Sequence, residues 1–274
     1  MNVSIVIPDS NDLRIENCIN SIDENVEVVI SLNKPSKKLK LLIDKILYEQ
    51  KNNYRYENLR FIICQIEIAS IALAYNNGIK NAKYKNILLM DSDCTFKKGT
   101  IGKLYLNLGD NLLSKGRVIF KQKSLQSKIT AKARDYKISK TVNAYSPPLL
   151  FKKQIINYIG RYYFHPKLCW LEDSEFDARV RKAKLNISYD KSAVIFHDQL
   201  SFAKDLKSSF LYGVGKRIGV EVGVHDIPLG LMGSFKKYFI NLWKEDEFLL
   251  GLYLFIWKIA FLSGYTCQAL IKIR

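Results

Sequence analysis

Short apolar runs, each stopped by turn-forming residues, alternate with longer stretches through the first ninety residues. The runs cover residues 3–7, 26–30, 59–64 and 86–90. Runs this short and apolar on both faces are typical of strands buried inside a parallel sheet. The stretches between them, 12–22, 36–50 and 68–82, are long enough for helices. This order predicts a doubly wound α/β domain, with its ligand site outside the carboxyl ends of the strands.

The pattern becomes mixed after residue 95 and changes again near residue 200. Beyond that point only helix-length segments remain, separated by Pro228 and several glycines. We therefore expect a core of residues 1–200 followed by a helical C-terminal appendage, 201–274. The elements predicted in this part are helices at 99–108, 173–184, 202–219, 233–243 and 245–272, and short strands at 118–120, 186–189 and 193–196.

The net charge indicates which kinds of partner the protein attracts. Among 274 residues, 43 are basic and 26 acidic, which gives a net charge of +17. Such a field attracts polyanions, whether nucleic acid, an anionic membrane face or phosphorylated substrates. The lysines are dispersed, and the sequence has neither a zinc-finger spacing nor an aromatic RNA-binding signature, so we predict no nucleic-acid partner. A basic protein that binds nucleic acid or membrane without catalysis remains the alternative.

The cysteines indicate the compartment. They are five in number and widely spaced, which argues against a disulfide framework or a zinc ribbon. Neither a basic segment nor an apolar segment precedes the first predicted strand, so we expect no signal peptide. Both observations predict a cytoplasmic location.

Asp91-Ser92-Asp93 directly follows the fourth predicted strand. Two carboxylates two residues apart at the end of a buried strand can hold a hard divalent cation and leave its other positions to phosphate oxygens. An isolated pair of this kind is more often a solvated turn, but the strand before it favours a metal site. Asp91 and Asp93 are therefore candidate metal ligands, and Asp91 and Ser92 are candidate contacts to the bound ligand.

A second acidic pair, Glu172-Asp173, opens a predicted helix. A carboxylate at this position is also a simple helix cap. The more specific interpretation makes Asp173 a general base that deprotonates a hydroxyl nucleophile. Trp170 and Phe164 are then candidates for an aromatic wall against a sugar ring, with core packing as the alternative.

Two further segments carry candidate ligands. His197 ends an apolar predicted strand and is a candidate third metal ligand, although a single histidine is more often structural. The segment 212–217, with the sequence YGVGKR, places Lys216 and Arg217 after two glycines. It suits either a mobile lid whose cations bind a diphosphate or a helix with a solvated basic end.

Together these motifs resemble those of family 2 glycosyltransferases with the GT-A fold. The resemblance runs from Val3 to about Gly219 and includes the first strand with the loop after Pro8. It continues through residues 72–79, ALAYNNGI, which are similar to the helix before the D-x-D strand of that family. It implies a mixed, mostly parallel sheet flanked by helices, with residues 1–95 as the nucleotide-binding half and 96–200 as the acceptor-binding half.

The resemblance also implies a reaction. It is an inverting transfer of a hexose from a nucleotide-diphosphate sugar to a hydroxyl of a glycan or a lipid-linked acceptor. Mn²⁺ or Mg²⁺ at Asp93 would stabilise the departing nucleoside diphosphate. Asp173, paired with Glu172, would take the acceptor proton. The enzymatic alternative is a sugar nucleotidyltransferase on a related fold, but residues 8–11 do not form the glycine-rich phosphate loop it needs.

Two departures from the family pattern concern the nucleotide. Many relatives carry consecutive aspartates after the second strand, where this chain has Ser31-Leu32-Asn33, and an arginine where it has Tyr75. Uridine is the first choice of base, from its frequency in the family. The residues expected to contact the nucleotide are Pro8, Asp9, Asn11, Asn33 and Asn77.

Residues 248–264 read FLLGLYLFIWKIAFLSG, an apolar run at the lower limit of a bilayer span. Lys258 would cost roughly 2.5–3.5 kcal/mol at the bilayer centre, so we expect a helix in the membrane interface or against a partner, such as a second copy of the chain. A core helix is the alternative. Anionic headgroups on the inner face of the cell membrane would attract the flanking cations Lys236, Lys237, Lys244, Lys272 and Arg274.

Overall fold

The computed structural model describes residues 1–52, 56–138, 142–236 and 247–271. Its strands are β1 (Val3–Asp9), β2 (Val26–Asn33), β3 (Leu59–Ile66), β4 (Asn86–Leu89), β5 (Cys94–Phe96), β6 (Leu113–Phe120), β7 (Leu149–Lys152) and β8 (Ile187–His197). Its α-helices are α1 (Ile15–Asn20), α2 (Lys37–Asn52), α3 (Ile71–Asn81), α4 (Thr100–Leu108), α5 (Leu125–Ile138), α6 (Ile156–Ile159), α7 (Glu172–Lys182), α8 (Phe202–Glu221), α9 (Leu231–Phe235) and α10 (Phe248–Ile271), with a 3₁₀ turn at Lys153–Ile155.

The chain folds as two compact units. The first comprises Met1–Ile119, Val142–Pro166 and Glu172–Asp198, and the second comprises Phe120–Thr141, Lys167–Leu171 and Gln199–Arg274. The functional division predicted at residue 200, and at residue 95 within the core, stays a prediction.

An eight-stranded mixed sheet forms the framework of the first unit, in the order β3-β2-β1-β4-β7-β6-β8-β5. Strands β3, β2, β1 and β4 run parallel, whereas β7 is antiparallel to β4 and β6, and β5 is antiparallel to β8. The predicted mixed α/β fold is confirmed. Because the carboxyl ends of parallel strands meet at one edge, the residues that follow β1 and β4 emerge side by side.

Strand β1 supplies the core on both faces of the sheet. Ile5 and Ile7 pack in one cluster with residues of α1 and α2, while Val6 packs in the opposite cluster with residues of α3. Burial on both faces explains why β1 and β2 appear in the sequence as continuous apolar runs. Gly78 of α3 permits close packing, because a Cβ there would lie 2.4 Å from Val6 Cγ1.

Helices α1 and α3 begin later than their sequence patterns predict, because polar side chains accept backbone N–H groups in the segments before them or in their first turns. Asp9 Oδ1 accepts the backbone N–H of Asp12, and Asp12 Oδ1 accepts that of Arg14, which keeps this loop out of α1. Ser70 Oγ accepts the backbone N–H of Leu73 at 3.3 Å and defines the start of α3.

The middle of the chain differs most from the prediction. The sequence pattern does not predict α5, because much of its buried face consists of small residues that give little hydrophobic periodicity. Strands β5 and β7 are too short to stand out, and the strand predicted at 118–120 is the end of the longer β6. The two strands predicted between 186 and 196 are one strand, β8, whose exposed Tyr189, Lys191 and Ser192 resemble a turn.

Helices α8 and α10 pack backbone to backbone in the second unit. A Cβ at Gly213 would lie 1.9 Å from the carbonyl oxygen of Phe261, and one at Gly264 would lie 1.9 Å from that of Phe210. Residues 212–217 are therefore part of a continuous helix, as the second interpretation of this segment expects, and the lid stays a prediction. Residues 237–246 and 272–274, which include part of two predicted helices and Lys237, Lys244, Lys272 and Arg274, lie outside the described residues.

Candidate functional site

Asp91, directly after β4, is held in place by α3. The hydroxyl of Tyr75 donates to Asp91 Oδ1 at 2.8 Å and lies 2.9 Å from Ser146 Oγ. Burial raises the pKa of Tyr75 well above its usual value, so this hydroxyl remains a donor. Burial, followed by the charge of Asp93, raises the pKa of Asp91 to about 6. One oxygen of Asp91 is thus fixed by the protein itself.

Asp93 lies beside a histidine and an arginine. His197 stands opposite Cys94 in the β5–β8 pairing, and its Nε2 lies 3.2 Å from Asp93 Oδ2. Arg14 Nη2 lies 3.3 Å from the same oxygen. Burial by itself would raise the pKa of Asp93, but the hydrogen bond and charge of His197 and the charge of Arg14 outweigh it and lower the pKa. Asp93 is therefore ionised throughout the neutral range.

The donor atoms around Asp93 fit a divalent cation. The ligand atoms of Asp93, Cys94 and His197 lie within 4.8 Å of one another. His197 Nδ1 lies 2.6 Å from the carbonyl oxygen of Asp198, the arrangement by which metal-binding histidines direct their other nitrogen at an ion. Carboxylate oxygen and imidazole nitrogen are ligands that Mn²⁺ accepts. Burial raises the pKa of Cys94 well above its usual value, so its thiol contributes least.

Asp9 ends β1 at the same edge of the sheet. It is 1% exposed, and its Oδ1 accepts the backbone N–H of Asp12 at 2.8 Å. Its Oδ2 makes no hydrogen bond within the described part of the chain, although the nearby Ser92 hydroxyl helps to hold the carboxyl's pKa down. Burial nevertheless raises the pKa of Asp9 to about 7. A ligand N–H or O–H group would satisfy this buried oxygen.

Glu172 and Asp173 open α7. A side-chain oxygen of Asp173 accepts the backbone N–H of Ser174 at 2.7 Å. Burial raises the pKa of Asp173 to about 6, opposed by that hydrogen bond and by the charge of Lys115. Burial, and then the charge of Asp173, raises the pKa of Glu172 well above its usual value. With a pKa of about 6, Asp173 can gain or lose a proton near neutral pH.

Lys115 is a site residue that the sequence analysis does not identify. It lies in β6, is 6% exposed, and donates through Nζ to the carbonyl oxygens of Pro147, at 3.0 Å, and Tyr145. Burial lowers the pKa of Lys115 to about 8, opposed by the charges of Asp173, Asp91 and Asp177. The sequence gives no hint of it, because the strand predicted at 118–120 begins after this lysine.

Several predicted contacts to the nucleotide have partners within the protein. Pro8 is buried in β1. Asn11 and Asn33 use their amides to join the loops that follow β1 and β2. Asn77 donates to the carbonyl oxygen of Gln65 at 3.4 Å. Each of these four residues therefore has a structural role. The nucleotide binding expected of them stays a prediction.

The remaining candidates fall into two groups. Phe164 is fully buried in the core of the first unit, so its alternative interpretation, core packing, is correct. Trp170, Lys216 and Arg217 belong to the second unit. Burial lowers the pKa of Lys216, while Arg217 Nε lies 2.8 Å from Glu221 Oε1. Diphosphate binding by these two cations stays a prediction.

Comparisons with solved structures show the fold. PcManGT, a mannosyltransferase from Pyrobaculum calidifontis in complex with GDP-Man and Mn²⁺, superposes with a TM-score of 0.63 at 13% identity, over 99% of this chain and 75% of that one. S. aureus TarS gives 0.54 at 15% identity, over 98% of this chain and 55% of that one. TarS 1–349 in complex with UDP-GlcNAc gives 0.54 at 14% identity, over 100% and 92%. The chain therefore spans 55% of the longer TarS structure.

A search of curated protein sequences finds no match to this chain. Residues 4–158, however, match the model of the family described as Glycosyl transferase family 2. That range is more than half of the chain and contains all of β1 except Val3, as well as Tyr75 and the Asp91-Ser92-Asp93 turn. With its GT-A-like sheet, the protein belongs to glycosyl transferase family 2.

Proposed function

We propose that the protein transfers a sugar, with inversion, from a UDP-sugar to a hydroxyl group of a glycan or lipid-linked acceptor. The observation that carries the proposal is the electrostatic proximity of two sets of carboxylates. Asp91 and Asp93 follow β4, Asp173 lies in the first turn of α7, and the charge of Asp173 contributes to the raised pKa of Asp91. One small region thus offers both a cation site and a base.

On the donor side, Asp93 and His197 would hold a divalent cation, with Asp91 beside them. The cation, when bound, supplies positive charge to the departing nucleoside diphosphate. Asp9 supports base recognition, because its buried Oδ2 can accept an N–H from the base. The nucleotide sugars in PcManGT, with GDP-Man and Mn²⁺, and in TarS, with UDP-GlcNAc, support the same class of donor here.

On the acceptor side, Asp173 would act as the general base. The acceptor oxygen forms a bond to the anomeric carbon, the bond from that carbon to the diphosphate oxygen breaks, and the acceptor proton passes to Asp173. A pKa of about 6 leaves Asp173 ionised at neutral pH yet able to receive a proton. Burial and the charge of Asp173 disfavour the ionised form of Glu172, whose pKa lies well above its ordinary value.

The decisive experiment is a donor panel. UDP-, GDP- and other nucleotide sugars are incubated with the full chain and Mn²⁺, and release of the nucleoside diphosphate is measured with and without chelator. We expect one donor class to be turned over and chelator to abolish turnover. Asp93→Asn should lose both Mn²⁺ binding and turnover, whereas the control Asp190→Asn, on an exposed turn-like part of β8, should lose neither. Full turnover in chelator would remove the metal from the proposal.

A membrane location is the second part of the proposal. Helix α10 is long and apolar enough to cross a bilayer, and 33% of its most apolar stretch is buried. Leu250, Tyr253 and Leu254 pack within the second unit, while the opposite face exposes apolar side chains at helical spacing: Leu249, Leu252, Ile256 and Ile259. The same unit exposes Ile227, Leu229, Leu231 and Met232. Apolar faces of this kind, on a chain of net charge +17, support a peripheral position on the anionic inner face of the cell membrane.

Vesicle binding tests this part. The chain is sedimented with phosphatidylcholine vesicles that contain or lack phosphatidylglycerol. Leu252→Glu with Ile256→Glu should abolish cosedimentation, while Ser263→Glu with Thr266→Glu, the same charges on exposed polar positions of α10, should retain most of it. Equal binding of both variants would contradict the proposal. Wild-type dimers that dissociate in the first variant, without any vesicle binding, would instead assign the apolar face to a second copy of the chain.

A further inference from the structure

Arg14 connects three carboxylates of the first unit. It lies at the start of α1, and its guanidinium binds Asp12 through Nη2 at 2.5 Å and Nε at 2.9 Å. Its Nη2 also lies 3.3 Å from Asp93 Oδ2, and its Nη1 lies 3.5 Å from Asp198 Oδ2. The hydrogen bonds to Asp12, followed by the charges of Asp93, Asp12 and Asp198, raise the pKa of Arg14 further above its usual value. Arg14 is thus a permanent cation among the acidic groups of the site.

Arg14 contacts the oxygen of Asp93, Oδ2, at which we expect a metal ion to bind. Asp93 Oδ2 is the oxygen that faces His197 Nε2, the other candidate metal ligand. A cation that binds this oxygen directly competes with the Arg14 N–H group for its lone pairs. The side chain of Arg14 is 37% exposed and that of Asp93 is 23% exposed, so the pair lies where solvent and ligands can reach it. Ion pairs that are partly exposed to solvent contribute little free energy, so a stronger partner can displace one of the two groups.

We infer that Arg14 is the counter-ion of Asp93 when no donor is bound, and that the affinity of the site for a metal ion therefore depends on whether the donor is present. Without donor, the guanidinium competes with Mn²⁺ for Asp93 and lowers the apparent affinity for the ion. A diphosphate is the stronger partner for a guanidinium, since its oxygens accept two parallel charge-assisted hydrogen bonds. When the donor arrives, Arg14 moves from Asp93 to the diphosphate and leaves the carboxylate to the metal. The inference rests on the proposed function, because it assigns Arg14 a place in the same donor site.

This exchange has a thermodynamic consequence that separates it from simple charge repulsion. Removing a nearby positive charge would by itself favour Mn²⁺ whether or not nucleotide is present. A contact that is exchanged favours Mn²⁺ only in the absence of nucleotide, because with UDP bound the guanidinium has already left Asp93. By reciprocity, loss of Arg14 also weakens the coupling by which Mn²⁺ improves UDP binding.

The test measures Mn²⁺ binding by electron paramagnetic resonance, with and without UDP, for the wild type, Arg14→Gln and Arg60→Gln. Arg60 is an exposed residue of β3. Arg60→Gln removes one positive charge, as Arg14→Gln does, and therefore controls for net charge. Without UDP, Arg14→Gln should bind Mn²⁺ about two- to fivefold more tightly than the wild type, the range expected for a rim ion pair. With UDP this advantage should vanish, and UDP itself should bind more weakly. Arg60→Gln should match the wild type.

Equal or weaker Mn²⁺ binding by Arg14→Gln without UDP would overturn the inference and leave the proposed function standing. An advantage that persists unchanged with UDP would overturn it too, in favour of charge repulsion. Absence of Mn²⁺ binding in every variant, with or without UDP, would overturn both. If Arg14→Gln melts well below the wild type, Arg14→Lys serves instead. A single ammonium cannot bind Asp12 and Asp93 in the same way, so this variant should shift Mn²⁺ binding in the same direction by a smaller factor.

Discussion

Asp93 and Asp173 are carboxylates of the same unit, both largely removed from water, yet their neighbours give them opposite properties. His197 and Arg14 outweigh the effect of burial at Asp93 and lower its pKa. At Asp173 burial prevails over Lys115 and the Ser174 amide, and the pKa rises to about 6. The first carboxylate is always charged and suits a cation, whereas the second gains and loses a proton near neutral pH and suits a base. Nearby charges, rather than burial, separate the two roles.

The largest effect is expected for Asp173→Asn, which removes the base and leaves the donor side intact. Turnover should fall by about 10²–10⁴-fold, the usual contribution of general-base catalysis, while the Kd for UDP-sugar measured by calorimetry should stay within about twofold. Asp190→Asn is the matched control. Unchanged turnover in Asp173→Asn would place the base elsewhere and remove one side of the comparison.

Lys115→Met should sharpen the comparison by removing the charge that favours the ionised form of Asp173, together with the hydrogen bonds to Pro147 and Tyr145. The ammonium favours the ionised carboxylate, so its loss should raise the pKa of Asp173 and move the acid limb of the kcat profile from near pH 6 upward by about one pH unit. The difference between variant and wild type should shrink above pH 8, where Lys115 itself loses its proton. An acid limb that does not move would show that Lys115 acts only by holding residues 145–147.

A smaller effect is expected for Tyr75→Phe, which removes the donor to Asp91 without changing the packing of the ring. The loss of one hydrogen bond to a charged group should weaken donor binding by about three- to tenfold, with little change of kcat at saturating donor. Tyr163→Phe is the control, since its hydroxyl bonds only a backbone carbonyl of the described residues, that of Lys153, away from Asp91. Equal donor affinity in Tyr75→Phe and wild type would mean that Asp91 does not need this partner.

The smallest effect concerns stability and Asp9→Asn. The folded-state pKa of Asp9, about 7, lies above its ordinary value of 3.8, so its native protonation stabilises the fold fully below pH 4 and this contribution is lost as pH rises through 7. Asparagine never ionises, so the variant should melt a few degrees above the wild type at pH 8 and close to it at pH 5. Thermal unfolding at the two pH values measures this. A variant less stable at pH 8 would indicate that the charged form of Asp9 has a partner that burial conceals.

An element can be predicted from the sequence when its burial produces a recognisable apolar pattern. Strands β1, β2 and β4 are recognisable because both of their faces are in the core, and the acidic pairs after β4 and at the start of α7 are found from their positions beside these elements. Helix α5 and strands β5 and β7 escape because small buried residues and very short strands produce no periodic pattern. The glycines near Lys216 were ambiguous for a different reason, since only the neighbouring backbone reveals that they serve helix packing.

The sequence by itself determined the mixed α/β fold, the family and the two acidic pairs, because these depend on local pattern and on position next to a strand or helix. Only the tertiary structure decided which cation or hydroxyl group stands beside which carboxylate. Arg14, Lys115 and Tyr75 lie 79, 58 and 16 residues from Asp93, Asp173 and Asp91 along the chain, and no local pattern encodes those pairings. Chain folding brings them together, and electrostatic energy depends on that distance in space rather than on separation in sequence.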